Sequence, residues 1–205
     1  MHYCSRINLE DFPIDRKKVT AAIIGGGKST RFGSPKLLAL YRNQPLVAHM
    51  LQLAAQLSDQ ILAVCGNLAY SFPPQIRVLS DLIPDCGPLG GVDTALQTSS
   101  TDWLFTLPGD VPLLPLAVYQ ELWKLRNPQK PVVAFSERGI EPLVALWPVG
   151  LRGTVRGFLE ERELRLRFVL RACQAVECHI PERLANYRPE WFANVNTIDD
   201  LNALY

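Results

Sequence analysis

Residues 19–36 read VTAAIIGGGKSTRFGSPK, and the fold turns on how this stretch is parsed. Val19–Ile24 is an apolar run with the length and β-branched content of a buried strand. Gly25, Gly26 and Gly27 follow at once, with Lys28, Arg31 and Lys36 close behind. Glycines after a strand permit positive φ and let backbone N–H groups approach a ligand, and nearby cations suit that ligand to be a phosphate. The stretch therefore predicts a nucleotide or phosphate site at the carboxyl end of a first strand.

A P-loop is the first alternative, because Gly27-Lys28-Ser29 matches its last positions. The motif also requires a glycine where this chain has Ala22, and Ile23 and Ile24 keep the intervening residues strand-like. No Walker B pattern accompanies it. The dinucleotide fingerprint G-x-G-x-x-G fails as well, since the glycines are contiguous. A loop in which Gly26 and Gly27 cradle phosphates while Arg31 and Lys36 reach in from its far end fits the spacing better.

The chain has 205 residues, of which 48% are hydrophobic and 20% charged, with a net charge of +1. That length supports one domain burying ~70% of its unfolded surface. A near-neutral balance argues against nucleic-acid binding, which shows as a basic face. Five cysteines, at 4, 65, 86, 173 and 178, form no C-x-x-C pair, which argues against a disulfide framework or a zinc site and for a reducing, cytoplasmic compartment. His2, His49 and His179 are scattered. Residues 1–18 lack the apolar core of a signal peptide and are read as an N-terminal extension, with the domain proper over residues 19–205. No apolar run is long enough to span a membrane.

Downstream, helical periodicity predicts helices over residues 45–57, 90–97, 116–125 and 151–172. Strands are expected over 60–65, 76–79, 103–107, 131–135, 142–147 and 174–180. Alternating strands and helices imply a single α/β domain with parallel βαβ units. Thr197 and Asp200 fit a capping box before a last helix, 198–204. The arginines between Arg152 and Arg171 are read as a solvated helix face.

Ligands of open parallel sheets sit outside the carboxyl ends of the strands. Four polar clusters are expected there: the glycine loop, Asp81, Asp110 and Asn194-Val195-Asn196. Asp110 follows the strand Trp103–Leu107 and can hold magnesium, which favours one or two carboxylates plus substrate phosphates; Pro108-Gly109-Asp110 also reads as an ordinary turn. Asp81 precedes Gly87-Pro88-Leu89-Gly90-Gly91, read as a loop leading into a helix, and could be a plain surface carboxylate. The two asparagines face one side of an extended segment.

Four motifs carry a family resemblance: residues 26–36 (GGKSTRFGSPK), Asp81 with Gly87–Gly91, Leu107–Pro112 (LPGDVP) and Asn194–Thr197 (NVNT). In this order they resemble nucleotidyltransferases with a Rossmann-like fold, and among these the molybdenum cofactor guanylyltransferases. The likeness runs from about Thr20 to the C-terminus. It implies a single-domain, three-layer sandwich with a mostly parallel central sheet, of the nucleotide-diphospho-sugar transferase type. It implies transfer of GMP from GTP to the phosphate of molybdopterin-bound molybdenum cofactor, with pyrophosphate released. By resemblance, Arg31, Lys36 and Asp110 would be catalytic, and Asp110 would hold Mg2+. Ile24, Gly25, Gly26, Gly27, Lys36, Asp81, Gly91 and Asp110 would bind the nucleotide, and Asn194 and Asn196 would face the pterin. Proteins of cofactor synthesis and the recipient enzymes are the implied partners, with neither nucleic acid nor membrane. Gly25 stands where the family commonly has alanine, and Cys65 where some relatives carry asparagine. CTP or a sugar-phosphate acceptor remains an alternative, as does a non-catalytic protein that binds nucleotide and presents the cofactor.

Overall fold

The structure is a computed structural model that describes residues 13–25, 36–66 and 70–204. Its first strand, β1 (Val19–Ile24), is buried at all six positions. Alternate side chains feed two separate cores, Ala21 and Ile23 on one face and Ala22 and Ile24 on the other. A strand with no polar side must lie inside a sheet covered on both faces.

The remaining elements supply those covers. After β1 come a 3₁₀ turn (Lys36–Leu38), a two-stranded ribbon of β2 (Leu40–Tyr41) and β3 (Gln44–Pro45), and α1 (Leu46–Leu57). Then follow β4 (Gln60–Val64), β5 (Arg77–Leu79), α2 (Gly87–Thr98), β6 (Trp103–Pro108) and α3 (Leu116–Lys124). The second half contains β7 (Val132–Ser136), β8 (Gly139–Pro148), α4 (Arg152–Glu160), α5 (Leu166–Ala172), β9 (Val176–His179), α6 (Ile180–Arg183) and α7 (Ile198–Asn202).

The seven-stranded sheet runs in the order β5-β4-β1-β6-β8-β7-β9. All its pairings are parallel except those of β8, which runs antiparallel to β6 and to β7. Helices α1, α3 and α6 cover one face, and α2, α4 and α5 the other. The three-layer sandwich expected from the sequence is present. The antiparallel strand arises because β7 and β8 are joined at Ser136↔Gly139, too short a connection for a crossover helix.

Two sequence expectations need correction. Residues 151–172 do not form one helix: the chain breaks between α4 and α5, with Arg162 at φ +60°. Helical periodicity survives the break because both pieces bury their apolar side chains in the same core. Gly87–Gly91 is not a loop either. Helix α2 starts at Gly87, with Pro88 in its first turn, where its missing N–H costs nothing. Gly91 lets this helix lie close against β1, since a Cβ there would stand 2.7 Å from Ile24 Cγ2.

The arginine face is also not wholly solvated. Asp93 on α2 is fully buried, and Arg156 on α4 meets it in two hydrogen bonds, Nε to Oδ1 at 3.0 Å and a second nitrogen to Oδ2 at 2.7 Å. Gln97 donates to Asp93 Oδ1 as well, at 3.2 Å. A buried carboxylate needs such partners, because removing one leaves an uncompensated charge. Replacing Arg156 with Met is expected to destabilise the fold by about 3 kcal/mol, whereas Arg167→Met on the exposed side should change it by less than about 0.5 kcal/mol. Urea unfolding of the two variants checks the pair; equal effects would show that Asp93 does not depend on Arg156.

Candidate functional site

The pairing of β1 with β6 in the register Ile24↔Pro108 sets Gly25 beside Gly109, one residue past each strand end. Gly109 N–H donates to the Ile24 carbonyl at 3.1 Å, and Gly25 N–H donates to the Val64 carbonyl at 3.0 Å. The two glycines together make a shallow seat. A Cβ on Gly25 would fall 2.4 Å from Leu37 Cδ1, and one on Gly109 would fall 2.6 Å from Leu37 Cδ2. Leu37 fills this seat and belongs to the core under the sheet.

That apolar anchor aims its neighbour. Lys36 opens the 3₁₀ turn, and its Nζ donates to Asp110 Oδ2 at 2.6 Å and to Asn196 Oδ1 at 2.6 Å. The Lys36 and Asp110 side chains keep 17% and 25% of their exposure, so the pair is partly open to solvent. An ammonium has three N–H donors. Among the described residues two are engaged, which leaves one for a ligand.

Asn196 arrives from the far end of the chain. Val195 N–H donates to the Asp110 backbone carbonyl at 2.9 Å, and the Val195 side chain is buried with Tyr41 and Leu46. Asn194 and Asn196 are both exposed, so the apolar residue between them turns both amides to one side. They follow a 3₁₀ turn, Pro189–Phe192, rather than a strand. The structure thus joins Lys36, Asp110 and Asn196 by direct hydrogen bonds, with Asn194 two residues before Asn196 in the chain.

Asp81 sits apart, after β5. Its carboxylate oxygens lie 3.6 Å and 3.8 Å from the positions that Cβ atoms on Gly90 and Gly91 would take. Burial raises its pKa from the ordinary carboxylate value, and the nearby Asp93 charge adds to the rise. The next residue is pinned to α2, where Leu82 N–H donates to Thr94 Oγ1 at 2.8 Å. Asp81, Ile24 and Gly91 therefore lie together on the α2 side of the sheet. Gly26, Gly27 and Arg31 lie outside the described residues. Because the Gly25 N–H is already spent on Val64, any phosphate cradle in this loop must take its donors from later residues.

No group of three His, Cys, Asp or Glu side chains suited to a metal occurs among the described residues. Sequence reading missed Leu37 and Asp200. The signal for Leu37 was present as an apolar residue directly after Lys36, but nothing in one sequence says what it packs against. Asp200 was found as a helix cap; its contact with Asn196 depends on the path of the chain.

Residues 21–177 match the family described as the MobA-like NTP transferase domain. The chain belongs to this family. A protein of Deinococcus radiodurans named "Probable molybdenum cofactor guanylyltransferase" is 34% identical over 91% of this chain and 93% of its own. The molybdenum cofactor guanylyltransferase of Cupriavidus metallidurans is 27% identical over 92% of this chain and 95% of its own. In fold, the crystal structure of molybdopterin-guanine dinucleotide biosynthesis protein A from Archaeoglobus fulgidus superposes with a TM-score of 0.74, at 19% identity over 90% of this chain and 95% of that one. Membership of this family makes the chain a nucleotidyltransferase.

If Leu37 occupies the space of a residue-25 side chain, then changes at 25 and 37 must interact. Gly25→Ala and Leu37→Ala should be non-additive by about 1 kcal/mol, the double variant being more stable than the sum predicts. Denaturant midpoints for the four proteins measure this, and strict additivity would show that the seat is not shared.

Proposed function

We propose that this chain transfers GMP from GTP to the phosphate of molybdopterin-bound molybdenum cofactor, releasing pyrophosphate. The observation that carries the proposal is the cluster of Lys36, Asp110 and Asn196 at the carboxyl ends of β1 and β6, in a chain of the MobA-like family. A phosphate oxygen of the acceptor attacks the α-phosphorus of GTP. The bond between that phosphorus and the oxygen bridging to the β-phosphate breaks, and the electron pair leaves with pyrophosphate. Transfer is direct, with no covalent enzyme intermediate. The Cys65 thiol is pushed up to about 11 and that of Cys178 to about 12 by burial, so both stay protonated near neutral pH and are poor nucleophiles.

Lys36 is the described cation placed to neutralise phosphate charge as it develops, through the N–H that Asp110 and Asn196 leave over. Arg31 is assigned to the pyrophosphate side on the family resemblance. Ile24, Gly91 and Asp81 form the corner assigned to the nucleoside, with Gly25, Gly26 and Gly27 along the phosphates. The exposed amides of Asn194 and Asn196 face the acceptor.

A lone carboxylate with a neutral amide nearby suits Mg2+, which takes most of its oxygens from water and substrate phosphates, and it suits zinc poorly. Asp110 would hold the ion, which neutralises charge on the phosphates when bound. No helix of the described residues is long and apolar enough to cross a membrane. With Cys65, Cys86, Cys173 and Cys178 all free, we place the protein in the cytoplasm, with cofactor-synthesis proteins and recipient molybdoenzymes as its partners.

Asp110→Asn should lower kcat for GMP transfer about 100-fold or more while GTP affinity without metal stays within a few-fold. Transfer at the wild-type rate would remove Asp110 from the chemistry and favour a cofactor-presenting protein. A thermal-shift panel with magnesium should show stabilisation by GTP exceeding that by CTP; the reverse order would reassign the base.

Asp110 cannot hold Lys36 and a metal equally through Oδ2. Lys36→Met is therefore expected to tighten Mn2+ binding several-fold in the absence of nucleotide, while GMP transfer falls. Free Mn2+ counted by electron paramagnetic resonance gives the answer, and an unchanged affinity would show that the two cations do not compete.

A further inference from the structure

Three features lie away from the Lys36 cluster. An open hollow at the opposite edge of the sheet, between Trp103, Pro128 and Pro148, has Asp102 and Arg152 on its rim and nothing that selects an occupant. The charged cluster of Glu121, Lys124 and Arg183 satisfies itself. Phe168 is exposed on α5, but Arg165 covers its ring and nothing marks what would dock there. The contact that carries furthest runs from the last helix back to the site.

Asp200 Oδ2 accepts two backbone N–H groups, from Asn196 at 2.8 Å and from Thr197 at 2.8 Å. A capping box needs only the second, with the reciprocal bond from Asp200 N–H to Thr197 Oγ1 at 3.1 Å. The first lies outside the helix-capping requirement, and it falls on the residue whose side chain holds Lys36. Asn196 is thereby fixed on both sides: Val195 N–H ties the preceding peptide to the Asp110 carbonyl, and Asp200 ties its own N–H. Between these two bonds the Asn196 amide has little freedom to leave Lys36 Nζ.

We propose that Asp200 is a positioning residue for nucleotidyl transfer, which acts through Asn196 to hold the Lys36 ammonium over Asp110. This rests on the assignment of the Lys36 cluster as the reacting site. The arrangement explains why a carboxylate in a half-exposed, five-residue helix is held below the usual carboxylate range. Donation from the Asn196 N–H is the largest cause, and the Lys36 charge contributes as well. A cap alone would require neither. Without Asp200, the Asn196 peptide would swing, Lys36 would lose one of its two anchors, and the N–H meant for phosphate would no longer point at a fixed place.

The test separates positioning from capping. Thr197→Ala removes the cap's hydroxyl acceptor but leaves the bond from Asn196 to Asp200. Asp200→Ala removes the two bonds the carboxylate accepts, from the Asn196 and Thr197 N–H groups, but leaves the bond from its own N–H to Thr197 Oγ1, and Asp200→Asn keeps an oxygen acceptor without the charge. We expect Asp200→Ala to lower kcat 10- to 100-fold, the range of a displaced catalytic group. Asp200→Asn should recover to within about threefold, and Thr197→Ala should keep kcat within about twofold at a similar loss of Tm. Asp200→Ser, too short to reach the Asn196 N–H, carries the same expectation as alanine if the latter does not fold. The 15Nζ resonance of Lys36, with its ammonium protons slowed in exchange by Asp110 and Asn196, should be retained in Thr197→Ala and lost in Asp200→Ala. Equal kinetic losses in Thr197→Ala and Asp200→Ala, or an unchanged Lys36 signal in Asp200→Ala, would overturn the proposal. A wild-type chain that transfers no GMP from GTP would instead refute the assigned reaction, and the Lys36 resonance would still decide the role of Asp200.

Discussion

The structure depends on the parallel pairing of β1 with β6, in a register that ends both strands on neighbouring glycines. Each glycine removes a side chain from the same small volume, and Leu37 occupies what is left. This is an apolar interaction, ordinary in size, with a polar consequence. A leucine fixed in the core leaves its predecessor little choice of direction, so Lys36 meets Asp110 at hydrogen-bond distance although 74 positions separate them in sequence. A functional contact between two loops thus borrows its precision from the sheet below.

Charge is handled differently at two depths. Asp93 lies at the bottom of the α2–α4 interface with no exposure, and it is met by two nitrogens of one guanidinium and by an amide. That set satisfies a carboxylate and fixes the packing of two helices. Asp110 keeps a quarter of its exposure and receives one ammonium nitrogen, which leaves room on both partners. The saturated pair is suited to structure and the unsaturated pair to binding. Asp81 stands between the two regimes, half-buried and within the field of Asp93, and its pKa is raised first by burial and then by that charge.

Much of this was legible in the chain itself. The apolar run Val19–Ile24, the alternation of strands and helices, and Asp110 after Trp103–Leu107 led to a covered, mostly parallel sheet with Asp110 beyond the carboxyl end of β6. Periodicity could not show that β8 runs antiparallel, because a buried strand carries the same residues in either direction. It could not show the break at Arg162, because α4 and α5 bury the same face. Gly87–Gly91 read as a loop because glycine disfavours helix; close approach of α2 to Ile24 outweighs that cost. The capping box at Thr197 was visible from spacing alone, since its bonds are local. The bond from Asp200 to Asn196 uses the same carboxylate but gains its meaning only when Asn196 reaches Lys36.

The order of these segments along the chain has a consequence for how the site assembles. Asp110 ends a central strand, Lys36 follows the first strand, and Asn196 lies within ten residues of the C-terminus. The first two are placed by the sheet and by Leu37. Asn196 instead depends on Val195 entering a small apolar cluster with Tyr41 and Leu46, and on α7 closing over it. That cluster is separate from the two cores that bury the sheet, so its loss need not unfold them. The segment that completes the polar cluster is therefore held by less buried surface than the segments that begin it, and elements of low contact density open most readily. A cluster built this way can loosen at Asn196 without disturbing the strand ends on which Lys36 and Asp110 rest.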